Sequence, residues 1–127
     1  VKPASIRIDR EVLESLLAYA REAYPREGIL LLRGKSRKGD VHVTEVLIPP
    51  LATHAPSFSS FPLHTLPFDL SIVGTAHSHP SGAARPSLAD LNNFYGRVMV
   101  IMAAPFRSEK DVGVFNRHGE LIPFELG

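Results

Sequence analysis

Cysteine is absent from all 127 residues. Disulfides, thiol nucleophiles and cysteine-ligated zinc sites are thereby excluded. So is the Pro-Cys-x-x-Cys segment from which a zinc nucleobase deaminase takes its ligands. Long apolar runs are missing too: none approaches the roughly 20 residues of a membrane span. No charged segment followed by an apolar one opens the chain, so no retained secretion signal is expected and a cytoplasmic location is the default. A strong charge of either sign is also lacking. The net charge of +1 sets up no field that would call for nucleic acid or a membrane surface.

What is present suits one globular domain over residues 1–127. The length allows a single core, and 44% hydrophobic with 21% charged residues is an ordinary balance for such a domain. Basic residues gather only in Arg33-Gly34-Lys35-Ser36-Arg37-Lys38, between two apolar segments. That run reads as a solvated turn, with an anionic partner as the alternative.

Periodicity places the elements. Residues 5–8 alternate as a short strand. Asp9 stands as an N-cap, and Val12, Leu13, Leu16, Leu17, Ala20, Ala23 and Tyr24 follow at helical spacing until Pro25 stops the helix. Residues 28–32 and 41–48 read as strands, the second ended by Pro49-Pro50. Residues 51–70 are irregular, with three prolines and several serines, yet carry Phe58, Phe61, Leu63 and Leu66. These apolar residues either lie on the core as a lid or form a recognition surface. Residues 71–76 read as a strand, and Ser87 opens a helix of about ten residues ending near Gly96. Residues 98–103 form a strand buried on both faces, and residues 113–117 and 120–126 pair as a hairpin. Strand, helix, strands, helix, strands is an α+β order, a largely continuous sheet with helices packed on it.

Chemistry concentrates after the fourth strand. His77 and His79 at positions i and i+2 of a strand face the same side and can share one ion. Asp90, in the first turn of the next helix, can aim a carboxylate back at them. Two imidazoles and a carboxylate suit zinc and leave a fourth tetrahedral position for water, as a catalytic site requires. Each part has a plainer reading: a His-x-His pair is often incidental, and Ser87-x-x-Asp90 is by itself a capping-box variant. Together, His-x-His-Pro, six residues, Ser, two residues and Asp fix five identities. Ordinary residue frequencies would produce that in a chain of this length roughly once in a hundred thousand.

The segment His77-Ser78-His79-Pro80-Ser81-Gly82-Ala83-Ala84-Arg85-Pro86-Ser87-Leu88-Ala89-Asp90 resembles the JAMM (MPN+) metalloprotease motif without a departure. Tyr24-Pro25-Arg26-Glu27-Gly28-Ile29 resembles the upstream segment of that family, with Glu27 at its glutamate position. Glu27 also opens a buried strand, where an idle carboxylate would be costly. The resemblance implies a JAMM/MPN fold, cytidine-deaminase-like, with a central mixed sheet and flanking helices. It implies one zinc ion held by His77, His79 and Asp90. Glu27 would be the general base, and Ser87 the hydrogen-bond donor to the oxyanion. It further implies a zinc isopeptidase acting after the C-terminal glycine of ubiquitin-like modifier proteins. The tail would be held as an added strand along Phe58, Ser59, Ser60, Phe61 and Leu63. Only residues 91–97 separate Asp90 from the next strand, too few for the long insertion of linkage-selective relatives. The chain is in this respect similar to compact archaeal and bacterial members, which remove small ubiquitin-like modifiers or process sulfur carriers. A non-catalytic scaffold of the same fold and a peptidase for other substrates, such as cell-wall peptides, are the alternatives. His42, His54, His64 and His118 lack ligand spacing, and Arg85 could steady the Pro86-Ser87 turn or touch substrate.

Overall fold

The computed structural model describes residues 5–49, 57–63 and 69–127. Eight strands form one mixed sheet: β1 (Ile6–Ile8), β2 (Ile29–Arg37), β3 (Asp40–Leu47), β4 (Ile72–His79), β5 (Val98–Ala103), β6 (Val112–Phe115), β7 (Leu121–Ile122) and β8 (Glu125–Leu126), in the order β7-β6-β5-β4-β2-β3-β1-β8. Two helices, α1 (Arg10–Ala23) and α2 (Leu88–Asn92), accompany them. β4 lies inside the sheet, antiparallel to β2 and parallel to β5. The strand that carries both histidines is therefore clamped on each side.

The two faces of the sheet bury separate apolar sets. On one face α1 lays down Val12, Leu13, Leu16, Leu17 and Ala20 against Leu30, Leu32, Val43, Val73, Val100 and Val114. The 3.6-residue repeat of its apolar positions makes this stripe continuous. Fully burying one such side chain is worth ~1.5–3 kcal/mol. On the other face Ile29, Leu31, Met99, Ile101 and Phe115 are covered by Phe58, Phe61 and Leu63. β5 is sandwiched between the two sets and is buried at all six positions, which is why it reads as an unbroken apolar run.

Four expectations change on the way to three dimensions. Asp9 occupies the N-cap position, but its side chain makes no cap bond; its carboxylate meets His42 Nε2 at 2.6 Å instead. The basic run is strand rather than turn, since β2 continues to Arg37 and only Lys38-Gly39 turn the chain. Arg33 there lies 3.9 Å from both Glu45 and Asp69. The second helix has five residues, not about ten. Asn93, which would continue it, turns its amide to the carbonyls of Phe58 and Phe61, while Phe94 and Tyr95 pack onto the second core. Residues 120–126 do not form one hairpin arm. β7 pairs with β6, and after Pro123, which has no N–H for a ladder, β8 crosses to pair in parallel with β1 on the opposite edge. Of the irregular stretch, residues 50–56 and 64–68 lie outside the described residues, and with them Leu66, His54 and His64.

Gly74 sets the spacing between the histidine strand and β5. A Cβ there would stand 2.2 Å from the Val98 carbonyl oxygen, a backbone atom that cannot step aside. Gly74→Ala is accordingly expected to lower stability by ~1–3 kcal/mol through overpacking, read as a lower denaturant midpoint with an unchanged slope.

Candidate metal centre

His77 and His79 leave β4 on the same side, as strand alternation requires, and the first turn of α2 brings Asp90 to meet them. The three donor atoms form a nearly equilateral triangle. His77 Nε2 lies 3.0 Å from His79 Nε2, and Asp90 Oδ2 lies 3.3 Å from the first and 3.2 Å from the second. His77 and Asp90 are buried, at 0% and 6% exposed, and the His79 side chain keeps 11%.

Each donor has its own support. His79 Nδ1 donates to the Ala83 carbonyl at 2.8 Å, which places the lone pair on Nε2, towards the triangle. His77 has no such anchor; among the described residues its Nδ1 has no hydrogen-bond partner. Its ring is held instead by Phe58, stacked at 4.1 Å between centroids with 4° between planes. Asp90 is fixed by a reciprocal cap, Ser87 N donating to Asp90 Oδ2 and Asp90 N donating to Ser87 Oγ, both at 3.0 Å. The cap and the cluster are thus compatible, because one carboxylate oxygen serves both.

The electrostatics call for a cation. Burial pushes the His77 imidazolium down, against the pull of Asp90, so His77 is held neutral. Burial alone would lower His79 too, but Asp90 and the Ala83 carbonyl outweigh it and its pKa rises. Burial would raise the Asp90 carboxyl, and its bonds to the two imidazoles and to the Ser87 backbone instead hold it well below the usual carboxylate range. Three such donors can all turn lone pairs inward only when a positive charge lies between them, a proton on an imidazole or a bound cation. Ligands about 2.0–2.1 Å from a tetrahedral ion stand about 3.3 Å apart, close to the separations observed. His77, His79 and Asp90 therefore fit one ion, and the nitrogen-and-oxygen donor set fits zinc.

The remaining predicted residues distribute unevenly. An open cavity of about 490 Å³ is lined by Glu27, His79, Ser87 and Asp90 together with Ser59 and Arg85. Glu27 is half-buried and its Oε1 accepts from Phe58 N at 2.9 Å. Ser87 is exposed, and with its oxygen accepting from Asp90 N its hydroxyl proton is left to donate. Phe58, Phe61 and Leu63 are 0%, 3% and 4% exposed, so their side chains belong to the core lid and do not face a substrate. Phe58–Ser60 is a 3-10 turn rather than an extended edge, and of this group only Ser59 reaches the cavity wall. His42 and His118 stand outside the triangle.

Three supporting groups carry no sequence signal beyond residue type. Ser78, between the two histidines, accepts from Gly28 N at 2.7 Å through its Oγ, tying the Glu27 segment to the metal strand. The Phe58 amide orients Glu27, and Asn93 ties the Phe58 turn to α2 at 3.0 and 3.2 Å. The hydroxyl between two ligands was the one visible hint.

Residues 9–117 match the family described as prokaryotic homologs of the JAB domain. The chain belongs to the JAMM metalloprotease family. A relative from Haloferax volcanii, named "Probable metalloprotease", is 36% identical over 95% of this chain and 79% of its own length. Among solved structures, a JAB1/MPN domain protein from Archaeoglobus fulgidus superimposes with a TM-score of 0.68 at 29% identity, covering 97% of each chain. Another, described as JAMM, a metalloprotease-like zinc site in the proteasome and signalosome, gives 0.67 at 28% identity over 99% of both chains. A protein from Desulfitobacterium hafniense, at 23% identity and a TM-score of 0.67, shares the fold. No helix among the described residues is long and apolar enough to cross a membrane.

Because a bound ion links β4 to α2, removing it should loosen both. Chelation is expected to lower the melting temperature, and added zinc to restore it. His77→Ala should abolish that zinc-dependent increment in a thermal scan.

Proposed function

We propose that this JAMM metalloprotease is a zinc-dependent isopeptidase that hydrolyses the bond after the C-terminal glycine of ubiquitin-like modifier proteins. The observation that carries the reading is the shared cavity: Glu27 and Ser87 open onto the same space as His79 and Asp90. When bound, one zinc ion supplies Lewis acidity and makes water a competent nucleophile near neutral pH.

The protein's own groups account for the remaining steps. Glu27, oriented by the Phe58 amide, takes the proton of the attacking water and passes it to the leaving amine. Ser87, its oxygen already engaged by Asp90 N, donates its hydroxyl proton to the oxygen that gains charge. Water attacks the carbonyl directly, and no covalent acyl-enzyme forms. A glycine on the reacting side fits such a site, since a backbone without Cβ approaches closely. With β5 starting at Val98, the short 91–97 connection leaves a second modifier no extended insertion to contact. The substrate is therefore a modifier conjugate of any linkage, handled in a cytoplasmic setting.

Glu27→Gln should retain zinc by elemental analysis yet lose conjugate cleavage. Ser87→Ala should lower kcat by about 10²–10³ fold, the loss typical of one oxyanion donor, provided zinc content is matched. A conjugate of a ubiquitin-like protein assayed beside a short unrelated peptide tests the substrate. Cleavage of the peptide alone would move the reading to another peptidase, and undiminished activity in Glu27→Gln would remove the mechanism. In a panel of linkages, rates are expected to agree within a few fold; strong preference for one would contradict the missing insertion.

A further inference from the structure

Arg85 lies on the wall of the catalytic cavity, in the loop that joins β4 to α2. It is exposed, and it is the one lysine or arginine among the lining residues. Among the described residues it forms no hydrogen bond and no ion pair. Its backbone is nevertheless held. Two residues before it, the Ala83 carbonyl accepts from His79; two residues after it, Ser87 is locked into the cap with Asp90. Pro86 restricts Arg85 itself to an extended backbone. A guanidinium with five donors is thus carried on a segment anchored to two of the three ion ligands, and is left without a partner.

Charge balance gives the missing partner its sign. In the cavity the carboxylates of Glu27 and Asp90 offset a divalent ion, and Arg85 remains as the uncompensated charge. A planar guanidinium binds a carboxylate through two parallel N–H bonds. An extended substrate advances about 3.3–3.6 Å per residue, so a cation on the wall of a cavity of about 490 Å³ meets groups one or two residues from the reacting carbonyl. We infer that Arg85 is a specificity residue that binds a substrate carboxylate beside the scissile bond. The carboxylate is either an acidic side chain or the free α-carboxylate of the residue whose amine is released. The inference rests on the peptidase reading of this cavity and names a chemical feature of its substrate.

Binding and turnover together test it. Glycine-tailed peptides joined to a lysine amine are made in four forms, with the lysine α-carboxylate free or amidated and with a neighbouring Glu or Gln. Affinity is measured by fluorescence polarisation on zinc-loaded Glu27→Gln protein, which does not depend on cleavage. One carboxylate form is expected to bind about tenfold or more tightly than its neutral counterpart, the scale of one charge-assisted pair. Whichever carboxylate confers the gain identifies its source. Adding Arg85→Ala should collapse the ratio towards one, and Arg85→Lys should restore part of it, keeping charge without the fork. In the zinc-loaded enzyme the preference should appear mainly in KM. Equal affinity for all four peptides, or a preference that survives Arg85→Ala, overturns the inference. If the wild-type enzyme cleaves none of the peptides while the Arg85-dependent binding preference stands, the peptidase reading fails and the carboxylate site does not.

Discussion

Three electron-rich atoms within 3.3 Å of one another are an arrangement that a protein interior does not tolerate without compensation. Two are lone pairs on imidazole nitrogens and the third belongs to a carboxylate that stays ionised. Without an ion, an imidazole proton must lie between ring and carboxylate, and burial strengthens that need because little water screens the charges. A cation at the centre attracts all three donors at once and outweighs their mutual repulsion. The local architecture can be understood as the means of holding that triangle closed.

The means are mostly backbone. β4 is paired with β2 from Arg33↔Ile72 to Ile29↔His77 and with β5 from Gly74↔Val98 to His79↔Ala103, so that Gly74 to His77 is held on both sides. A strand so held gives its side chains little freedom of direction. α2 is only five residues long and could not survive as an isolated helix. It persists because its cap is also the Asp90 anchor and because Asn93 fastens its end to the Phe58 turn. The same turn stacks a ring on His77 and gives its amide to Glu27. One short segment therefore covers the second core, steadies His77 and orients Glu27.

The division of labour between the two faces of the sheet follows. α1 packs against the larger apolar set, on the face away from the cavity. The apolar set of Ile29, Phe58 and Ile101 is smaller, and among the described residues its cover is the Phe58–Ser60 turn with Phe61 and Leu63 rather than an α-helix. On that side the cavity stays open, with Ser59, Arg85 and Ser87 on its wall.

Residue type and short-range spacing determined much of this before any coordinate was known. The i, i+2 histidines on a strand, the carboxylate one helical turn past a capping serine, the amphipathic stripe of α1 and the apolar run of β5 all depend on contacts a few residues apart, which local periodicity encodes. The family followed from the same short motif. Tertiary structure alone decided what depends on distant pairs. The Phe58–Glu27, Gly28–Ser78 and Asn93–Phe58 bonds join residues 31, 50 and 35 positions apart, and the crossing of β8 to β1 spans nearly the whole chain. So does the choice between lid and recognition surface for Phe58, Phe61 and Leu63, since an apolar residue in a loop looks the same in sequence whether it faces a core or a partner. Such pairings are set by sheet register and by which surfaces remain uncovered once the strands have assembled, and no local propensity carries that information.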